Sequence, residues 1–146
     1  MKIVMDTNVI LDFFLSRQPG AEAARQLFEL IYQDKIEAFT TSSCITDIYY
    51  ITAKRLGEVM GRKTIHQLLQ LLGIIMVDGN DCVNALTLPI IDFEDALVTV
   101  YAKKEGIDFI VTNDNDYLQV DSTIANVIGS QAFLLRHKQP PDFLGT

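Results

Sequence analysis

Short continuous apolar runs alternate along this chain with longer stretches whose apolar residues recur every three to four positions. "KIVM" (2–5) is such a run, rich in branched residues and without polar alternation, as expected of a strand buried on both faces. After the "QPG" break at 18–20, "AEAARQLFELIYQ" carries Ala24, Leu27, Phe28 and Ile31 at helical spacing. "IEAFTT" (36–41) predicts a second strand, and Ser42 and Ser43 are placed to cap a helix through "CITDIYYITAKRL". Helical pattern resumes after Gly61 in "KTIHQLLQLL", and "GIIMVDGN" (73–80) predicts a third strand ending in a turn. "DCVNALTL" reads as a short helix broken at Pro89. "DFEDALVTVYAKKEG" (92–106) is a longer one, with Asp92 as N-cap, Lys103 and Lys104 in its last turn and Gly106 as its stop. "DFIVTND" (108–114) predicts a fourth buried strand, and "ANVIGSQAFLL" (125–135) a short fifth one. The expected domain spans residues 1–136, and the Pro-containing tail 137–146 is expected to be irregular, an arm available to a partner.

Strands alternating with helices predict an α/β domain with a mostly parallel sheet. In that architecture the C-terminal ends of the strands and the N-terminal ends of the crossover helices share one rim, where ligands bind. Four acids fall on that rim. Asp6 directly follows the first strand, between two apolar runs in "IVMDTNVILDFF". Asp47 lies early in the helix after the second strand, on a stripe with Cys44, Ile48 and Ile51. Asp95 is three residues past the Asp92 cap, and Asp114 is two residues beyond the fourth strand, with Asp116 just after it. Each has a plain explanation taken alone: Asp6 and Asp114 as turn formers, Asp95 as a complement to a helix dipole. Together they require four coincidences on one rim, with no buried base in the pattern to pair them.

Composition narrows what such a rim can do. With 146 residues, 49% hydrophobic and 21% charged, the chain is one ordinary globular domain. It shows no signal-peptide pattern and no apolar run of the ~18 residues a membrane span needs, so a cytoplasmic protein is expected. Cys44 and Cys82 are too few for a zinc framework. The net charge of −7 counts against coating nucleic acid through bulk electrostatics, but not against a metal enzyme. Converging carboxylates repel unless a divalent cation lies between them, and oxygen-only ligands suit Mg²⁺ or Mn²⁺. Such an ion can activate water for displacement at phosphorus. This points to phosphodiester or phosphomonoester hydrolysis without choosing the substrate.

"MDTNVILDFF", the acid in "SSCITDIYY", "DFEDALVTVYAKKEG" and "DFIVTNDNDYL" resemble, in order, the four motifs of PIN-domain ribonucleases over roughly residues 2–130. The resemblance implies a three-layer α/β/α fold with a parallel sheet of strand order 3-2-1-4-5. It also implies an Mg²⁺- or Mn²⁺-dependent endoribonuclease acting on RNA, most often the toxin of a VapC-type toxin–antitoxin pair, hence an antitoxin partner and a homodimer. Carried onto these motifs, Asp6, Asp95 and Asp114 would be metal ligands. Asn8 would orient the first acid, and Thr112 is the hydroxyl that opens the last motif. The second acid is commonly Glu in the family. Here Asp47 stands in its place, one methylene shorter, and would bind the metal through water. Asp114 is preferred to Asp116 as the fourth acid by its offset from Thr112.

Among basic residues, Arg17 is the candidate for steering a phosphate to the rim, with a solvated helix-end residue as its plain alternative. Lys54 and Arg55 suit an exposed helix face. His66 and His137 form no catalytic set, and Tyr49, Tyr50 and Tyr117 suit packing better than base stacking. Two other readings share the metal site: a DNA-directed nuclease, and a phosphatase of the haloacid dehalogenase type. The phosphatase needs a second Asp two residues after the first, where this chain has Asn8. From a different class, a non-catalytic PIN-like module would serve as an RNA-binding scaffold.

Overall fold

The computed structural model describes residues 1–138. Five strands form one all-parallel sheet: β1 (Lys2–Met5), β2 (Glu37–Thr41), β3 (Gly73–Ile75), β4 (Phe109–Val111) and β5 (Val127–Ile128). Their order is β3-β2-β1-β4-β5, the order the resemblance implied. Eight helices connect or flank them among the described residues: α1 (Thr7–Phe14), α2 (Ala21–Tyr32), α3 (Ser42–Leu56), α4 (Glu58–Leu71), α5 (Gly79–Ala85), α6 (Phe93–Lys104), α7 (Asn115–Leu118) and α8 (Ser130–Lys138). None is long and apolar enough to cross a membrane.

The pleat of β1 divides the core into two layers. Ile3 and Met5 point into one, with Val9, Leu27, Phe28, Ile48 and Phe133 from α1, α2, α3 and α8. Val4 points into the other, with Ile110 of β4 and Val98, Tyr101 and Tyr117 from α6 and α7. Because β1 is central and covered on both faces, its continuous apolar run is what the fold requires.

Several boundaries differ from the sequence reading, each for a physical reason. The apolar run after Asp6 is helix α1, not merely the far side of a turn: Asp6 caps it, and Val9, Ile10 and Leu11 are buried. Helix α4 begins at Glu58, immediately after Gly57, whose φ of 95° turns the chain out of α3. Gly61 therefore lies inside α4, where an added Cβ would sit 3.0 Å from the Ala53 Cβ of α3. It is a close-packing glycine, not a breaker. Helix α5 starts at Gly79, earlier than expected, because Asp78 and Asp81 form a reciprocal capping box. After β5 the chain turns helical again at Ser130, since Phe133 and Leu134 are buried in the first core layer. His137 and Lys138 belong to that helix, so an irregular tail does not begin at 137. The rest of the expected tail, 139–146, lies outside the described residues.

Gly61→Val forces a branched side chain into the α3–α4 contact. The variant is expected to lose roughly 1–3 kcal/mol in urea unfolding, whereas Gly79→Ala, where nothing lies within 4 Å of an added Cβ, should not.

Candidate active site

The rim is assembled by capping interactions that begin where strands end. Asp6 leaves β1 in extended conformation, and its backbone N–H donates to the Val111 carbonyl of β4 at 3.0 Å. Its Oδ1 accepts from the Thr7 N–H at 2.8 Å, which is the cap of α1. Its Oδ2 accepts from the Thr112 hydroxyl at 2.8 Å and from Asn8 Nδ2 at 3.3 Å. Thr112 is fully buried, and its oxygen also accepts from Asn8 Nδ2 and from the Asp114 N–H, both at 3.1 Å. One hydroxyl thus joins the exits of β1 and β4. Asn8 adds a second tie, its Oδ1 accepting from the Asn113 N–H at 2.9 Å.

The other acids arrive on helix N-termini. Asp114 caps α7 by accepting from the Asp116 N–H at 2.9 Å, and both Asp114 and Asp116 are exposed. Asp92 caps α6 by accepting from the Asp95 N–H at 3.0 Å. This places the partly buried Asp95 in the first turn, within range of the charges of Asp6 and Asp114. Burial, then the negative charges of Asp92, Asp6, Asp114 and Glu94, push the Asp95 carboxyl up to about 7. The backbone of Asp95 is fixed from behind: its carbonyl accepts from the Thr99 hydroxyl at 2.8 Å and from the Tyr117 hydroxyl at 3.2 Å. Tyr117 is buried among core residues, in keeping with a packing role.

Asp47 and Arg17 make no hydrogen bond to these acids. Asp47 is exposed on α3 and makes no hydrogen bond with a described residue, although Ile48 beside it is buried. The acid that closes the α3 side is Glu94, with Oε1 3.5 Å from Thr41 Oγ1 and 3.7 Å from Cys44 Sγ. In the sequence Glu94 looks like a dipole complement. The one signal for more is its position beside Asp95 in "DFEDAL". Arg17 is likewise not aimed at the acids. Its Nε pairs with Asp12 at 3.2 Å and its NH2 group donates to the Asn8 carbonyl at 3.0 Å, so it pins the end of α1. Asn113 and Ser130 also went unread: Asn113 Oδ1 accepts from the Ser130 N–H at 3.1 Å, anchoring α8 to the rim.

Among the described residues, no three His, Cys, Asp or Glu side chains form a ready-made chelating group. The donor chemistry of the corner nonetheless fits a hard divalent cation. It offers carboxylate oxygens, an excess of negative charge and an acid driven to hold its proton near neutrality.

A family profile for the PIN domain matches residues 2–116. The chain belongs to the PIN-domain family. Ribonuclease VapC1 of Aquifex aeolicus (strain VF5) is 30% identical over 125 residues, covering 82% of this chain and 86% of the relative. Two solved structures share the PIN fold at lower identity. VapBC2 from Rickettsia felis, bound to a DNA fragment from its promoter, superposes with a TM-score of 0.66 at 16% identity, covering 88% of this chain and 98% of that one. A toxin–antitoxin complex from Klebsiella pneumoniae gives 0.64 at 16%, covering 88% and 97%. The PIN profile takes in Asp6, Asp47, Asp95 and Asp114 and stops at Asp116.

The raised Asp95 carboxyl makes the stability of this PIN domain depend on pH. Between about pH 4 and 7 the folded protein keeps a proton that the unfolded chain releases, so stability falls as pH rises through that window. Thermal midpoints measured in EDTA from pH 4.5 to 8 are expected to decline on this limb, and Asp95→Asn should flatten it (~4 to ~7).

Proposed function

We propose that this chain is an Mg²⁺- or Mn²⁺-dependent endoribonuclease of the VapC type that hydrolyses phosphodiester bonds in RNA. What supports the reading is that the Thr112 hydroxyl ties Asp6 to the backbone of Asp114, and that Asp95, on a third segment, lies within range of both charges. Kinship at 30% identity with a protein named a ribonuclease supports the substrate class.

In this reading Asp6, Asp95 and Asp114 hold the cation, with Asp47 reaching it through water from α3. A bound Mg²⁺ or Mn²⁺ supplies an activated water and offsets the charge that develops at phosphorus. The chain supplies orientation. Thr112 and Asn8 fix Asp6 Oδ2 by hydrogen bonds at 2.8 and 3.3 Å, so that carboxylate keeps one direction without an ion present. The hydroxyls of Thr99 and Tyr117 hold the Asp95 carbonyl and so set the first turn of α6. Asp114 is taken as the ligand in preference to Asp116, because its N–H is held by the same Thr112 hydroxyl that holds Asp6. Arg17 is assigned to holding α1 rather than to phosphate. The partners that go with this function are an antitoxin, as in the Klebsiella pneumoniae toxin–antitoxin complex, and a second copy of the chain.

The test is cleavage of a panel of structured and single-stranded RNAs by wild type and Asp6→Asn in Mg²⁺, Mn²⁺ and EDTA. Cleavage should require metal and fall at least ~100-fold in the variant, while Asp47→Asn, acting through water, should lose less. Calorimetry with millimolar Mg²⁺ separates this from a non-catalytic scaffold, which binds no ion. A protein that neither binds metal nor cuts RNA would contradict the proposal.

A further inference from the structure

Beside the acid corner lies a cleft of about 620 Å³ that metal chemistry does not use. Ile90 and Ile91, from the segment between α5 and α6, line it together with Tyr117 and Val120. Asp95 borders it, which joins the cleft to the corner, and Asp116 lines it as well. Three features set the chemistry of this cleft. Ile91 is fully exposed, a large apolar side chain held in water at the lip of the cleft. The Asp116 carboxylate accepts no hydrogen bond from the described residues, whereas the neighbouring Asp121 Oδ1 is taken up by the Thr123 N–H and hydroxyl at 2.8 and 2.7 Å. Among the described residues, no lysine, arginine or histidine lines the cleft.

These features select among the parts of an RNA strand, and the inference rests on the ribonuclease reading above. A phosphate is repelled, because Asp95, Asp116 and Asp121 all border the space. A neutral base packs its faces against aliphatic walls and offers its edge to a carboxylate. A carboxylate only accepts, through two oxygens in a fork. Guanine alone among the four RNA bases presents two adjacent donors, N1–H and the N2 amino group, on its pairing edge. Adenine, cytosine and uracil present one each. That edge is free only in an unpaired base.

We propose that this cleft is a subsite for an unpaired guanine next to the scissile phosphate, with Asp116 receiving its pairing edge and Ile90 and Ile91 covering its faces. The protein then cuts single-stranded RNA beside guanosine by recognition built into α7 and the α5–α6 connection, separately from the metal ligands.

The experiment uses pentamers UUGUU, UUIUU, UUAUU and UUCUU, where inosine lacks only the N2 amino group. Fluorescence anisotropy with the Asp6→Asn protein reads binding, and mass spectrometry with wild type reads the cut position. UUGUU should bind roughly 5- to 150-fold more tightly than UUAUU or UUCUU, and at least about fivefold more tightly than UUIUU. Asp116→Asn, made in the Asp6→Asn background, should bring the four pentamers within about twofold of one another, and Ile91→Ala should weaken UUGUU binding severalfold. Mn²⁺ affinity of Asp116→Asn alone, by calorimetry, should match wild type. Equal binding of guanosine and inosine pentamers overturns the subsite, as does loss of Mn²⁺ binding in Asp116→Asn. If wild type cuts none of the RNAs, the ribonuclease reading fails, and the binding series still decides whether the cleft reads guanine.

Discussion

The buried hydroxyl of Thr112 is the point on which the rim depends. It donates to Asp6 Oδ2 while its oxygen accepts from Asn8 and from the Asp114 N–H, so a single oxygen sets the relation between two neighbouring strand exits. Sheet order makes this possible. With β1 central and β4 beside it in parallel register, Met5 pairs with Val111, and the residues after each emerge side by side. The acids are therefore held close by hydrogen bonds made at their backs, before any counter-ion is considered. Burial of Asp95, and after it the like charges kept together here, carry a cost that appears as its raised carboxyl.

That cost is confined to the rim by how the rest of the molecule is built. Below the acids, β1 is buried on both faces, with Ile3 and Met5 packed into one layer and Val4 into the other. Polar groups at the strand ends find partners: the fully buried Thr40 donates to the Met5 carbonyl at 3.0 Å, and Thr41 caps α3 through the Cys44 N–H at 2.9 Å. Two acids away from the corner have a basic partner. Lys104 reaches Asp81 at 2.9 Å and holds its carboxyl below the usual range, and Arg17 neutralises Asp12. At the acid corner, by contrast, the charges that raise the Asp95 carboxyl are those of Asp92, Asp6, Asp114 and Glu94.

The parallel sheet and the positions of Asp6, Asp95 and Asp114 were legible in the sequence, because strand–helix alternation determines which end of each element faces the rim. Side-chain direction was not. Asp47 sits on the expected helix yet is exposed, while Glu94, adjacent to an expected ligand, turns towards Thr41 and Cys44. The pattern offers Arg17 for steering a phosphate, because its partner, Asp12, is met only when the chain folds back at the end of α1. Helix α1 was obscured because "DTN" is equally a turn and a cap over three residues. Gly61 failed as a breaker because its role is contact with Ala53 across two helices, which no local pattern records.

The central proposal is that burial and neighbouring acids raise the Asp95 carboxyl of this PIN domain, and that a divalent cation relieves the repulsion among them. Carbon-detected NMR titration of the Asp95 side-chain carboxyl, in EDTA and then with Mg²⁺, tests it directly. The account predicts a midpoint near 7 without the ion and a marked downward shift when it is added. A midpoint in the ordinary carboxylate range, unmoved by Mg²⁺, would contradict it.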